Sequence, residues 1–333
     1  MGAPLTETRN CRKLGLATLT IFLASTCAYS QTVPPDFKKA VCFIFGRSSP
    51  HLPNGEPVKG PDGAAVVLQE APLGTGFFVS YPDPRGGSNF GFVYLVTAKH
   101  VLKDWDGRYL QTIKIRLNLK DTGGFDFADV PVTDDKGSLL WFIDEQDSSN
   151  EAALYPLLPD QKKFDYKFVP TQMFVTNDTF ATANVAEGDR VFFVGLLPQF
   201  YGVSRNYPVV RNGTVALITD KKIPVGNIGP HRLYVVEMSA WPGNSGSPVF
   251  LQLGGLRGGG LMLGQDIRML GILLAESNNV MSAKIDKNLQ YQWGNGQNTG
   301  ISYILPAPDL SLVLNNHSAQ ANRDLQIAAL KKN

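Results

Sequence analysis

Residues 241–250 read Trp-Pro-Gly-Asn-Ser-Gly-Ser-Pro-Val-Phe and place Ser245 in a glycine-framed turn that opens onto an apolar strand. Such a turn exposes the serine hydroxyl and lets the backbone N–H groups of Gly243 and Ser245 point at one spot. A nucleophile for acyl transfer needs this geometry, because the two amides can stabilise an oxyanion. The same residue types also form ordinary loops between strands, so the turn has two interpretations when it is taken alone.

Two stretches upstream of this turn favour the chemical interpretation. Residues 74–79 read Gly-Thr-Gly-Phe-Phe-Val and predict a strand that begins in a glycine turn. Residues 94–102 read Tyr-Leu-Val-Thr-Ala-Lys-His-Val-Leu and predict a strand that ends just before His100. A single histidine is more often a surface or packing residue than a base. Coupled to the framed Ser245, His100 becomes a candidate general base.

In this order, the motifs resemble those of the trypsin-like serine peptidases of the chymotrypsin fold, especially bacterial secreted and HtrA-type members. The resemblance spans roughly residues 38–314 and is carried by Gly74-Thr-Gly-Phe, Thr97-Ala-Lys-His and Gly243-Asn-Ser-Gly-Ser-Pro. It implies an activity on protein or peptide substrates, with the active site in a cleft between two barrels. The residues after position 314 are too few for the PDZ domain of full-length HtrA enzymes.

The fold that the resemblance implies is all-β, with two six-stranded antiparallel β-barrels and a short C-terminal helix. We expect the first barrel over about residues 38–158, the second over about 165–308, and the helix at 310–314. Composition agrees, since 33 glycines and 22 prolines in 333 residues favour a turn-rich β protein over a helical one.

The acid that would orient His100 is the least regular part of the pattern. The resembled family usually has an aspartate at a strand start about fifty residues after the histidine. Here Asn-Glu-Ala-Ala-Leu begins at Asn150, which puts Glu151 at the expected place. Glutamate is one methylene longer and can serve if the imidazole sits slightly differently. Asp144 and Asp147 are the alternatives if the register is shifted, and are otherwise solvated loop carboxylates.

The resemblance assigns a role to each site residue. His100 would be the general base, Ser245 the nucleophile that forms an acyl-enzyme, and Glu151 the acid that holds His100. The amides of Gly243 and Ser245 would form the oxyanion hole. Ser239, six residues before the nucleophile, would lie at the base of the pocket for the side chain preceding the scissile bond. Since Ser239 is uncharged, we expect small or medium apolar side chains there rather than Lys or Arg.

Residues 1–30 predict a secretory signal peptide, which leaves a trypsin-like peptidase domain over residues 31–333. The signal has a basic start, an apolar stretch at 14–24 and a small-x-small cleavage site at 28–30. The apolar stretch is too short to span a bilayer comfortably, so no stable membrane insertion is expected. Export to the periplasm or the extracellular medium follows, and a signal peptide does not distinguish the two.

Charge and ligand chemistry argue against several other classes of partner. The net charge is only +2, from 31 basic and 29 acidic residues, so we expect no nucleic-acid partner. The four histidines, at positions 51, 100, 231 and 317, share no metal-type spacing, so we expect no metal and no organic cofactor. Cys42 is the single cysteine outside the signal and reads as inert packing in an apolar strand. The sequence leaves the oligomeric state open.

The competing hypothesis is a secreted binding module of the same fold whose peptidase site has decayed. Its support is the missing aspartate, and a fold can outlast its chemistry. An esterase with the same triad is a third possibility, although no separate motif favours it.

Overall fold

The computed structural model describes residues 32–47, 59–60, 63, 70–104, 107–224, 230–257, 260–286 and 289–332. The expected signal peptide at residues 1–30 and the histidine at position 51 lie outside the described residues.

Eight strands from the first half of the chain pair into one sheet. The strands are β1 (Val41–Gly46), β2 (Ala71–Pro82), β3 (Gly91–Ala98), β4 (Thr112–Asn118), β5 (Phe125–Pro131), β6 (Phe142–Ile143), β7 (Ala152–Pro156) and β8 (Val169–Pro170). The antiparallel order is β5-β4-β1-β2-β3-β7-β6, and β8 adds to β2 in parallel. We expected six strands here, and the two-residue strands β6 and β8 bring the described number to eight.

The second half of the chain closes into a six-stranded barrel. Its strands are β9 (Arg190–Gly195), β10 (Val209–Leu217), β13 (Tyr234–Glu237), β14 (Pro248–Arg257), β15 (Gly260–Asp286) and β16 (Leu289–Pro306). They pair in the closed order β10-β13-β16-β15-β14-β9, while β11 (Lys222–Pro224) and β12 (Pro230–Arg232) form a separate two-stranded sheet. The expected all-β, chymotrypsin-like fold is confirmed.

Helices are few and short in the described part of the chain. They are α1 (Asp36–Lys39), α2 (Asn177–Thr182), α3 (Ala307–Leu314) and α4 (His317–Leu330). The expected short C-terminal helix corresponds to α3. Among the described residues, no helix combines the length and the apolar character that crossing a bilayer requires.

Helix α4 was not expected, because its sequence is mostly polar. Asn316 caps its N-terminus by accepting a hydrogen bond from the Ala319 amide at 2.8 Å. The helix buries Ala319, Arg323 and Ile327, which recur every four residues on one narrow face. Arg323 donates to the Tyr94 hydroxyl at 3.1 Å, so an arginine fixes part of the helix to β3. A buried face with a cation at its centre gives little hydrophobic periodicity.

Aromatic side chains pack α1 against the second barrel. Phe37 of α1 meets Phe192 and Phe250 edge-on, with ring centroids 5.4 and 4.7 Å away, and those two rings stack on each other at 5.2 Å. The next strand, β1, is buried throughout and contains Cys42, and burial strongly raises the pKa of the Cys42 thiol. Cys42 is therefore part of the packing, as its apolar surroundings indicated.

Thr75, a fully buried residue of β2, ties both halves of the chain to the turn at 243–246. Its amide donates to the Ser245 carbonyl at 2.9 Å, and its hydroxyl donates to the Gly243 carbonyl at 3.0 Å. The same hydroxyl accepts a hydrogen bond from the Leu196 amide, just after β9, at 2.9 Å. The Thr75 carbonyl in turn accepts from the Thr97 hydroxyl of β3 at 2.8 Å. One residue thus connects β2, β3, β9 and the serine turn.

We predict that Thr75→Val, which keeps the shape but removes the hydroxyl, lowers the free energy of unfolding by about 1–3 kcal/mol. The loss arises because the Leu196 amide and the Gly243 carbonyl each lose a buried partner. Urea unfolding measures the change. Thr112→Val on an exposed position of β4 is the matched control and should change the free energy by no more than about 0.5 kcal/mol. Equal effects of the two substitutions would contradict the linking role of Thr75.

Candidate active site

Strand register brings His100 and Glu151 together. Strands β3 and β7 are antiparallel neighbours in which Ala98 pairs with Ala152, so the residues just after β3 face those just before β7. The Lys99 amide continues the pairing with a hydrogen bond of 2.6 Å to the Glu151 carbonyl. His100 then lies in a short 3-10 helix, Lys99–Leu102, and its side chain reaches back to Glu151.

One oxygen of Glu151 receives both His100 donors. Glu151 Oε2 lies 3.0 Å from the His100 backbone nitrogen and 2.9 Å from ring atom Nδ1. Because an ionised carboxylate only accepts hydrogen bonds, Nδ1 carries a proton, and in the neutral form of the ring Nε2 keeps its lone pair. The imidazole is 44% exposed and the Glu151 side chain only 12% exposed. The pair therefore presents a basic nitrogen on an accessible ring backed by a shielded acid.

The surroundings of Glu151 keep its carboxyl ionised. Burial is the largest single influence on the pKa of Glu151 and acts to raise it. The hydrogen bond and charge of His100, together with the charge of Lys99, act in the opposite direction and prevail. The pKa of Glu151 is consequently lower than usual, and the group accepts hydrogen bonds from His100 as a carboxylate.

The two alternative acids are engaged elsewhere. Asp147 accepts hydrogen bonds from the Ser149 hydroxyl and from Lys222, which lower the pKa of Asp147 to about 2. Asp144 accepts from the Asp147 amide at 3.0 Å and from the Asn150 side chain at 3.1 Å. Within the described residues neither carboxylate is hydrogen-bonded to His100. The structure therefore pairs Glu151 with His100 and leaves Asp144 and Asp147 in the loop.

The turn that carries Ser245 needs glycine and asparagine at fixed places. Gly243 has a φ of +92°, and a Cβ there would lie 2.4 Å from Pro198 Cγ. The buried Asn244 side chain accepts from the Trp241 amide at 2.7 Å and donates to the Leu196 carbonyl. The turn is thereby fixed on both sides, which explains why Trp-Pro-Gly-Asn-Ser folds this way locally.

The amides of Gly243 and Ser245 donate no hydrogen bond to any described part of the chain, whereas the neighbouring amides are paired. The Asn244 amide donates to the Trp241 carbonyl at 2.9 Å, and the Gly246 amide donates to the Leu273 carbonyl of β15 at 2.8 Å. An oxyanion hole requires two such donors without a partner in the resting protein.

The Ser245 hydroxyl does not contact His100 in this conformation. Ser245 Oγ donates to the Leu274 carbonyl of β15 at 2.7 Å, and this is its one hydrogen bond within the described part of the chain. A resting serine with another partner is compatible with catalysis, because catalytic hydrogen bonds often form only with substrate present. The structure thus brings together His100 and Glu151, and it directs the Ser245 hydroxyl to the Leu274 carbonyl.

Ser239 lies between two buried residues just after β13. Met238 and Ala240 face the barrel interior, and the Met238 carbonyl accepts from the Ser302 hydroxyl at 2.7 Å. Ser239 itself is exposed and uncharged.

Several residues that hold the acid loop were not found from the sequence. His231 of β12 is buried and donates from Nδ1 to the Ser149 carbonyl at 2.7 Å, and Lys222 of β11 reaches Asp147. Asn150 donates to the carbonyl of Asp309 at 3.0 Å, at the start of α3. A hairpin and a helix distant in sequence therefore support residues 147–150. Such contacts leave no local sequence signal, since each partner is an ordinary polar residue in its own segment.

Asp309, whose carbonyl accepts the hydrogen bond of Asn150, has a side-chain carboxyl with an unusual pKa. Burial is the main reason that the pKa of its carboxyl is raised to about 6. Arg232, 3.4 Å away, opposes that rise, whereas the charges of Asp147 and Asp144 add to it. Because the folded-state pKa is above the unfolded value of 3.8, the native state binds more protons between about pH 4 and 6. Stability from this group therefore falls as the pH rises through that window.

We predict that Asp309→Asn raises the free energy of unfolding at pH 7.5 by about 1–3 kcal/mol, and raises it much less at pH 4. The buried carboxyl is charged only above its raised pKa, and the neutral amide of asparagine avoids the cost of burying that charge. Denaturant unfolding at the two pH values measures the difference. Asp135→Asn on an exposed turn is the control. A gain of the same size at both pH values would contradict the prediction.

No group of three or more His, Cys, Asp or Glu side chains in the described part of the chain is arranged to hold a metal ion. Among the side chains of this region, an imidazole such as that of His100 can accept a proton, and a hydroxyl such as that of Ser245 can act as a nucleophile.

Comparison with known proteins matches residues 74–258 to the family model described as a trypsin-like peptidase domain, which is more than half of the chain. No curated protein sequence matches. Among solved structures, the chain is similar to the MamO protease domain from Magnetospirillum magneticum, with 15% identity, 85% of this chain and 99% of that chain covered, and a TM-score of 0.43. The chain is also similar to the HtrA-type protease AlgW with a decapeptide, with 16% identity and a TM-score of 0.40. The match covers 84% of this chain and 64% of that chain.

Proposed function

Since the chain belongs to the trypsin-like peptidase domain family, we propose that it is a serine endopeptidase that cleaves peptide bonds through an acyl-enzyme. The contact of 2.9 Å between His100 Nδ1 and Glu151 Oε2 carries the proposal, because it supplies an oriented base that could activate the framed Ser245. With residues 1–30 as a signal peptide, the enzyme acts after export, in the periplasm or outside the cell.

Acylation begins with a rotation of the Ser245 side chain. Its Oγ leaves the Leu274 carbonyl and turns toward His100 Nε2, which takes the hydroxyl proton as Oγ attacks the substrate carbonyl carbon. The amides of Gly243 and Ser245 bind the resulting oxyanion. Glu151 stabilises the imidazolium and keeps the proton of Nδ1 in place.

Collapse of the tetrahedral intermediate breaks the peptide bond. His100 gives its proton to the departing amine, and the acyl group stays on Ser245. Water then attacks the acyl carbon while His100 accepts a proton from it. The bond between the acyl carbon and Ser245 Oγ breaks, His100 gives that proton to Oγ, and the acid is released. Every step uses this chain's own side chains and amides.

We predict that a fluorophosphonate probe labels the mature chain at Ser245. Ser245→Ala should remove labelling, and Glu151→Gln should slow it at least about 100-fold because an amide no longer stabilises the imidazolium. Asp147→Asn is the matched control in the same loop and should stay within about threefold of wild type, since its partner Lys222 is half exposed. Labelling rates by quantitative gel fluorescence test the assignment. A rate lost in Asp147→Asn and kept in Glu151→Gln would overturn Glu151 as the acid.

We further predict that Ser239→Asp moves the substrate preference toward Lys or Arg before the scissile bond. A carboxylate at the pocket base would pair with a cationic side chain and raise the ratio of kcat/KM for Lys over Val peptides by at least about tenfold. Cleavage of a peptide library by the two forms measures the ratio, and Ser138→Asp on a distant exposed turn controls for added charge. An unchanged ratio would remove Ser239 from the pocket.

The second candidate function is a secreted binding module without turnover. The observation that favours it is the hydrogen bond from Ser245 Oγ to the Leu274 carbonyl, which occupies the hydroxyl that catalysis needs. A folded chain that the probe does not label at any pH would support this function over the peptidase.

A further inference from the structure

We infer that Lys99 is a positioning residue of this site, whose ammonium group holds the free oxygen of Glu151 and the backbone before it, so that the carboxylate faces His100. The inference rests on the proposed function, because it concerns the acid of the same triad. It adds a residue that forms no part of the serine, histidine and acid set.

The contacts of Lys99 all converge on the acid loop. Its Nζ donates to the Ser148 carbonyl at 2.8 Å and to the Asn150 carbonyl at 2.9 Å. The same atom lies 3.8 Å from Glu151 Oε1. Two of the three ammonium protons are thus donated to backbone carbonyls, and the positive charge of the group lies next to the carboxylate.

Lys99 and His100 divide one carboxylate between them. His100 takes Oε2 with both its ring and its amide, and Lys99 lies beside Oε1. The Lys99 amide also donates to the Glu151 carbonyl, so backbone and side chain of the same residue hold the acid. Contacts on both oxygens therefore keep the carboxylate facing the imidazole.

A glutamate needs this second support more than an aspartate would. Glu151 has one more rotatable bond than the aspartate of the usual pattern, so more side-chain freedom must be lost to hold its carboxylate in one place. Contacts on both oxygens restrict that freedom. The pairing of Lys99 with Glu151 is accordingly a compensation for the longer acid.

The burial of Lys99 shows that its charge has a local use. Its side chain is only 7% exposed, and burial lowers the pKa of the ammonium group, an effect that the charge of Glu151 opposes. The other charges that act on this group are Lys103, Asp144 and Asp147. A neutral apolar chain could fill the same space, but it would leave the Ser148 and Asn150 carbonyls without their donor.

Removing the ammonium charge changes the electrostatics of the base. Without Lys99, the negative charge of Glu151 acts on the imidazole without compensation and favours its protonated form. The proton must leave Nε2 before His100 can act as a base, so activity at acidic pH should fall. The charge of Glu151 also raises the pKa of the Tyr109 hydroxyl, but burial is the larger cause of that rise.

The test compares the mature wild-type chain with Lys99→Met, Lys99→Gln and Lys103→Met. Both Lys99 variants lose the charge, but Gln keeps an N–H donor for the loop carbonyls. Lys99→Gln should therefore fold even if Lys99→Met does not. Lys103→Met removes a neighbouring cation that lies over the Tyr109 ring and is the matched control. Nitrogen-15 histidine NMR reports whether the His100 Nδ1 proton is hydrogen-bonded to a carboxylate, and probe labelling rates are measured across pH in parallel.

In the Lys99 variants we expect the His100 Nδ1 proton to lose the resonance of a proton bound to a carboxylate, with the control unchanged. The acid limb of the labelling rate should move to higher pH by at least about half a unit. An unchanged Nδ1 proton resonance in a folded Lys99 variant would overturn the inference. A wild type that the probe fails to label would contradict the peptidase proposal, while the NMR comparison would still decide the role of Lys99.

Discussion

The hydrogen bonds of Thr75 fix where the serine turn lies relative to the first sheet. The hydroxyl of this buried residue joins the Gly243 carbonyl to the Leu196 amide, and its carbonyl receives the hydroxyl of Thr97. Gly246 must be glycine at this junction, since a Cβ would lie 2.1 Å from the Thr75 carbonyl oxygen. Because Thr97 is three residues before His100, the same junction also sets the end of β3 from which the base projects.

The second constraint is the position of the acid loop. Pairing of β3 with β7 delivers Glu151 to His100, but a strand end alone would leave the longer glutamate side chain free to move. Lys99 and His231 donate hydrogen bonds to carbonyls of this loop, and Asn150 of the loop donates to the Asp309 carbonyl. The site thus depends on two sets of buried polar contacts, one for the nucleophile turn and one for the acid.

Much of the fold follows from local sequence. The apolar stretches that became β2, β3 and β9, and the glycine-framed turn around Ser245, are each specified within about ten residues. By contrast, α4 could not be predicted from periodicity, because Arg323 occupies the middle of its buried face. The choice among Glu151, Asp144 and Asp147 likewise depends on strand register and on Lys222, which is more than seventy residues away.

The orientation of the Ser245 hydroxyl is another feature that sequence could not supply. It depends on the Leu274 carbonyl, which β15 presents 29 residues further along the chain. Lys99 is a cation within an apolar stretch, directly before His100. Nothing local in the sequence predicts that its ammonium group binds the loop carbonyls at 148 and 150. Local motifs therefore identify the reacting atoms, whereas long-range packing decides how they are held.

A crystal structure of the mature chain after reaction with a fluorophosphonate would test the central claim most directly. The account predicts phosphorus bonded to Ser245 Oγ, now away from Leu274, with the phosphoryl oxygen on the amides of Gly243 and Ser245. Glu151 Oε2 should still accept the hydrogen bond of His100 Nδ1. An adduct on another residue, or an imidazole that has turned to a different carboxylate, would contradict it.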